Sequence, residues 1–107
     1  MANITFNQID VKRKKILLVD DDSHVVRLMA DMIGGFGYRV VGIIDSMEAF
    51  DLFAHNPNEY DLVITDQTMP KLSGIELAQR IFQIRPNMPI IMCSGYGTLS
   101  LAAYILA

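Results

Sequence analysis

Ile16-Leu17-Leu18-Val19-Asp20-Asp21-Asp22 is the stretch on which the fold turns, and Leu62-Val63-Ile64-Thr65-Asp66 repeats its form. Each is a short apolar run that ends abruptly in carboxylate. Short buried runs bounded by polar residues read as parallel strands, covered on both faces. In an open α/β sheet the carboxyl ends of such strands form the binding crevice. The pattern therefore predicts that Asp66, from one strand, meets Asp20, Asp21 and Asp22 from another. Carboxylates gathered there repel one another unless a cation joins them, and oxygen-only ligands favour a hard ion such as Mg2+.

Outward from these runs the chain alternates strand and helix patterns. After the first strand at about 16–19, Asp22 or Ser23 can cap a helix over about 24–34. Val25, Leu28, Met29, Met32 and Ile33 share one face of it at three- and four-residue spacing. Gly34, Gly35 and Gly37 stop it, since left-handed C-terminal positions favour glycine. Arg39 to Ile43 reads as the second strand. Asp45 with Glu48 then opens a helix that carries Phe50 and Phe53 and ends before Pro57. Leu62 to Thr65 is the third strand. Ser73 with Glu76 begins a helix whose apolar face holds Ile75, Leu77, Ala78, Ile81, Phe82 and Ile84, and Ile90 to Cys93 is the fourth strand. Short connections between alternating β and α elements imply right-handed crossovers and a mostly parallel sheet.

The 107 residues leave room for one domain with a modest core. A net charge of −3 argues against nucleic-acid binding as the main role. The basic run Lys12-Arg13-Lys14-Lys15 reads as a solvated lead-in within a leader of residues 1–13. No secretory signal and no apolar span of membrane length is present in the sequence, and the single cysteine, Cys93, suits a reducing compartment, so a cytoplasmic location is expected. Cys93 sits inside an apolar run and reads as a structural thiol. The seven methionines read as core filling, and His24 and His55 as solvated helix residues.

Three segments in this order, Ile16 to Asp21, Leu62 to Pro70 with Ser73-Gly74, and Pro89 to Gly95, resemble the receiver domain of bacterial two-component response regulators. The match runs over about residues 14–97, and a strand-terminal aspartate followed by Met69-Pro70 and then Gly74 is its most specific part. The resemblance implies a flavodoxin-like, doubly wound α/β sheet in the order 2-1-3-4-5, with residues 14–107 as the domain. It implies that Asp66 is the phosphoacceptor. Asp21 and Asp66 would ligate Mg2+ directly, with the backbone carbonyl of Thr68 as a third ligand and Asp20 acting through water. Ser94 would hydrogen-bond the transferred phosphoryl group. The implied partner is a sensor histidine kinase or phosphotransfer protein, the donor being a phosphohistidine. The resemblance also implies a signalling module rather than an enzyme, at most catalysing its own phosphorylation and slow dephosphorylation.

The chain departs from the family at its end. The family continues with a helix, a fifth strand ending in Lys-Pro and a last helix, whereas no lysine follows Lys71 here. From Pro86 to Ala107 there is no charged side chain. Tyr96 to Ala107 could supply about three helical turns without a polar face. A sheet of order 2-1-3-4 is therefore expected, lacking the fifth strand in its usual form. Its fourth strand would be an exposed edge, and the apolar tail would favour self-association. Two other functions stay open. One is a degenerate receiver acting as a binding or dimerisation module without normal switching. The other is a phosphatase resembling the haloacid-dehalogenase family, for which Asp20 to Asp22 would supply an Asp-x-Asp pair, although Ser23-His24 stands where that family has Gly-Thr.

Overall fold

The computed structural model describes residues 14–93 and the backbone alone of residues 101–104. Four parallel strands, β1 (Lys15–Val19), β2 (Arg39–Ile43), β3 (Leu62–Asp66) and β4 (Ile90–Cys93), alternate with three helices, α1 (Ser23–Gly35), α2 (Ser46–His55) and α3 (Gly74–Ile84). The strands lie in the order β2-β1-β3-β4 and are joined at the far edge by a fifth, β5 (Leu101–Tyr104). β1 is central, pairing in parallel with β2 from Lys15–Arg39 to Val19–Ile43 and with β3 from Ile16–Leu62 to Val19–Thr65.

Because side chains alternate along a strand, each run feeds two cores. Leu17, Val19, Val63, Ile90 and Met92 face α2 and α3, where they meet Ala49, Phe53, Leu77, Ala78 and Ile81. Ile16, Leu18 and Ile64 face α1 and meet Val26, with Met29, Ala30 and Ile33 beside them. Phe53 is fully buried and stacks on Tyr60 at a ring separation of 6.1 Å. Lys15 completes this end of the molecule, its ammonium paired with Glu59 and 5.6 Å above the Tyr60 ring.

Helix starts follow the side-chain chemistry. Asp22 caps α1 by accepting the N–H groups of His24 and Val25, Asp45 caps α2 by accepting those of Met47 and Glu48, and Ser73 and Glu76 complete a reciprocal capping box on α3. At the end of α1 the left-handed position is taken by Gly37 (φ 98°), while Gly34 and Gly35 remain in the helix. His24 and His55 are exposed, as expected.

Two expectations need correction. The inward face of α1 is Val26, Met29, Ala30 and Ile33, whereas Leu28 and Met32 are 63% and 59% exposed. Apolar spacing alone could not choose between two overlapping stripes. The choice is made by β2, where a Cβ on Gly42 would lie 2.5 Å from Val26 Cγ1, so the helix seats Val26 over a strand position with no side chain. Second, the apolar tail supplies a strand, not a helix, over residues 101–104. β5 runs antiparallel to β4, from Ile90–Tyr104 to Cys93–Leu101, so β4 is not the edge of the sheet. An antiparallel return needs no helical crossover, and it satisfies the free N–H and C=O groups that an edge strand would expose.

Truncating Phe53 to alanine is expected to lower stability by about 3–5 kcal/mol. Leu28→Ala is expected to change it by less than about 0.5 kcal/mol, as for other surface positions. Urea unfolding followed by circular dichroism distinguishes the two, and equal losses would contradict this assignment of the α1 face.

Candidate functional site

The site begins with strand register. Val19 lies opposite Thr65 in the β1–β3 pair, so the next residues, Asp20 just beyond β1 and Asp66 at the end of β3, stand side by side. Ligand oxygens of Asp20, Asp21 and Asp66 all lie within 4.8 Å of one another. Asp20 and Asp66 are half-buried and Asp21 is exposed. The Asp20 backbone is held to β2 through its N–H on the Ile43 carbonyl (3.2 Å), and its Oδ1 accepts the N–H of Asp22 (2.9 Å). Oδ1 of Asp66 accepts the N–H of Gln67 at 2.9 Å.

The electrostatics are those of carboxylates held together against their charge. Burial pushes the Asp20 carboxyl above its ordinary value, and the charges of Asp66, Asp21 and Asp22 push the same way, against the Asp22 N–H bond. Burial also raises Asp66, with Asp21 adding to it and the N–H groups of Gln67 and Thr68 opposing it. Both lysine ion pairs among the described residues, Lys15–Glu59 and Lys71–Asp45, are made elsewhere. The donor set therefore fits a divalent cation: all oxygen, multiply anionic, partly desolvated and open on one side through Asp21. Asp22 is separate, because its carboxylate caps α1.

The strand after Asp66 turns into a loop pinned at several points. The Gln67 N–H donates to the Cys93 carbonyl (3.0 Å), its carbonyl accepts the N–H of Gly74 (2.9 Å), and its Oε1 accepts the N–H of Ile75 (3.1 Å). Gly74 lies so close beneath the loop that a Cβ there would stand 2.4 Å from the Asp66 carbonyl oxygen and 3.0 Å from Gln67 Cα. Lys71 occupies the left-handed region at φ 71°. Ser46 at the start of α2 donates to the Pro70 carbonyl (2.9 Å) and accepts the Leu72 N–H (3.0 Å). Motif reading missed Gln67 and Ser46. Nothing in their sequence context marks them, since their partners are backbone groups brought close by folding.

Asp20, Asp21 and Asp66 thus come together. Thr68 lies in the exposed part of the same loop, two residues beyond Asp66. Ser94 and Tyr96 lie outside the described residues, although Cys93, adjacent to Ser94, pairs with Asp66 in the β3–β4 register. The Cys93 thiol is half-buried, and burial followed by the charges of Asp66 and Asp20 pushes its pKa up. It is therefore held as thiol, consistent with a structural role.

The fold and site define a doubly wound α/β protein with an acidic crevice at the carboxyl ends of β1 and β3, where the chain passes from one side of β1 to the other. The family model described as the response regulator receiver domain matches residues 16–107, and the chain belongs to that family, a module of two-component signalling. The chemotaxis protein CheY of Thermotoga maritima is 35% identical over 85 residues, covering 78% of this chain and 69% of that one. A solved receiver domain protein from Clostridium thermocellum superposes with a TM-score of 0.75 at 37% identity, covering 78% of this chain and 67% of that one. A CheX–CheY complex with BeF3 and Mg2+ from Borrelia burgdorferi matches with a TM-score of 0.73 at 28% identity, covering 79% of this chain and 64% of that one. The chain spans only 15% of the length of a putative two-component response regulator, ARR21, of Arabidopsis thaliana, to which it is 32% identical over 94 residues, or 88% of this chain. No described helix is long and apolar enough to cross a membrane.

Two outcomes follow from the site. A carboxyl group whose pKa is raised in the folded state favours folding below its ordinary value, 3.8 for Asp20, and that contribution is lost as pH rises through the raised value. At neutral pH without divalent metal, Asp20→Asn should therefore raise the thermal midpoint, since the amide oxygen can still accept the Asp22 N–H. The gain should vanish near pH 3, and a variant melting at or below the wild type at neutral pH contradicts it. Gly74→Ala, although favourable for an ordinary helix position, should cost about 1–3 kcal/mol through overpacking against the Asp66 backbone, read by denaturant unfolding.

Proposed function

We propose that this domain accepts a phosphoryl group on Asp66 from a phosphohistidine of a sensor histidine kinase or phosphotransfer protein, with Mg2+ held by Asp20, Asp21 and Asp66 and by the Thr68 backbone carbonyl. The observation that supports the reading is the meeting of three carboxylates from two adjacent strands within 4.8 Å. Membership of the receiver family supports the choice of reaction, and the Borrelia complex is a relative in which Mg2+ accompanies BeF3.

Phosphoryl transfer needs in-line positioning and charge neutralisation more than covalent help. One carboxylate oxygen of Asp66 attacks phosphorus. The phosphorus–nitrogen bond to the donor imidazole breaks, the imidazole keeps the electron pair and takes a proton, and Asp66 becomes an acyl phosphate. Mg2+ held by Asp20, Asp21 and Asp66 would offset the repulsion between the Asp66 carboxylate and the incoming phosphoryl anion. Asp66 is steadied for this role by the N–H groups of Gln67 and Thr68. Its desolvation raises its basicity, which favours attack. Ser94 donates its hydroxyl to a phosphoryl oxygen after transfer. The modified aspartate carries more charge and more acceptor oxygens than the free one, which is the basis of switching by such groups. Residues 14–107 act as the receiver unit, preceded by the 1–13 leader, and the protein works in the cytoplasm.

Incubation with acetyl phosphate and Mg2+ should add one phosphoryl group, seen by intact-mass spectrometry. Asp66→Asn and chelation should each abolish it. Labelling that survives Asp66→Asn contradicts the assignment, and a chain that binds Mg2+ without labelling supports the binding-module alternative. Mg2+ at about 100 times its Kd should add about 2.7 kcal/mol of stability to the wild type and much less to Asp21→Asn.

A further inference from the structure

Ser46 is a buried polar residue, 2% exposed, in the first turn of α2, where Ala49 is buried beside it. Its hydroxyl is used twice, donating to the Pro70 carbonyl and accepting the Leu72 N–H. The two bonds bracket Lys71, whose φ of 71° is unusual for a residue with a side chain. Asp45, the neighbouring cap, takes the Lys71 ammonium as an ion pair. The N-terminus of α2 therefore grips residues 70–72 from a separate element, on the opposite side of Thr68 from Asp66. The other end of the same loop is tied by Gln67 to Gly74, Ile75 and Cys93. Between these anchors stand Thr68 and Met69, the latter packed against the core.

We infer that Ser46 is a positioning residue for the metal arm of the site: by holding Pro70 to Leu72 it sets the conformation of the Thr68 backbone and hence the affinity for Mg2+. The inference rests on the metal reading of Asp20, Asp21 and Asp66 given above. Removing the hydroxyl leaves the buried Leu72 N–H without its acceptor and frees the part-buried Pro70 carbonyl, and both losses favour a shift of the loop. Ser46 touches none of the three carboxylates, so its effect on the ion passes through the loop. Groups that orient metal ligands from behind commonly change affinity by about tenfold or more.

Titration calorimetry of the full chain with Mg2+ alone tests this, using Ser46→Ala, Phe53→Leu and Asp21→Asn. Phe53→Leu destabilises the same helix through its core face, at the opposite end of α2 from Ser46 and without removing a hydrogen bond to the loop. Ser46→Ala is expected to weaken Mg2+ by about tenfold, while Phe53→Leu binds as the wild type. Equal binding by Ser46→Ala and wild type overturns the inference. So does a parallel loss in Phe53→Leu, which would make the effect one of general stability. If Ser46→Ala does not fold, Ser46→Cys, similar in size but a weaker hydrogen-bonding group, takes its place with the same expected direction. Wild-type affinity in Asp21→Asn would instead overturn the metal reading, and the inference with it. That outcome is distinguishable because it does not depend on Ser46.

Discussion

The parallel register between β1 and β3 is the constraint from which the rest of the molecule follows. Setting Val19, the last residue of β1, opposite Thr65 brings Asp20, just beyond β1, level with Asp66, the last residue of β3. A slip of one residue would turn the alternating side chains of β3 to the wrong core and separate Asp66 from Asp20. The register is enforced on both faces at once. Leu17, Val19 and Val63 are wanted by α2 and α3, while Ile16, Leu18 and Ile64 are wanted by α1. Apolar burial on two sides thereby fixes the place of three charges that would otherwise keep apart.

That arrangement stores unfavourable electrostatics at one end of the sheet. Burial and mutual repulsion raise the pKa values of Asp20 and Asp66, a sign that the fold holds these groups where their charge is least welcome. Desolvated carboxylates gathered at a crevice are an all-oxygen donor set of the kind that fits a divalent cation. The loop beyond Asp66 is correspondingly firm. Gln67, Gly74 and Ser46 tie it to α3, β4 and α2, so the backbone beside the carboxylates is specified by three elements at once.

Much of this was legible beforehand, for identifiable reasons. β2 and β4 were bounded correctly because apolar runs met polar or glycine-rich turns at both ends. The helix starts at Asp22, Asp45 and Ser73 were legible because a cap is local chemistry between near neighbours. The α1 face is ambiguous in sequence because Leu28 and Met32 satisfy the same periodicity as the buried set. Only contact with Gly42 separates the two. The tail is compatible in sequence with helical turns, and β4 with an edge position, because an apolar segment without alternation carries no periodic signal to distinguish strand from helix. Pairing with β4 decided it.

Taken alone, the chain determined that apolar runs end in Asp20, Asp21 and Asp66, that helices begin at their capping residues, and that a receiver-like motif surrounds Asp66. These are properties of near neighbours, and near neighbours are what a sequence displays. The distance between the three carboxylates, the clearance that makes Gly74 a glycine, the two hydrogen bonds of Ser46 to the loop and the antiparallel seat of residues 101–104 were decided only in three dimensions. Each depends on groups far apart in the chain that meet because strands pair and helices pack, and no local pattern records the meeting.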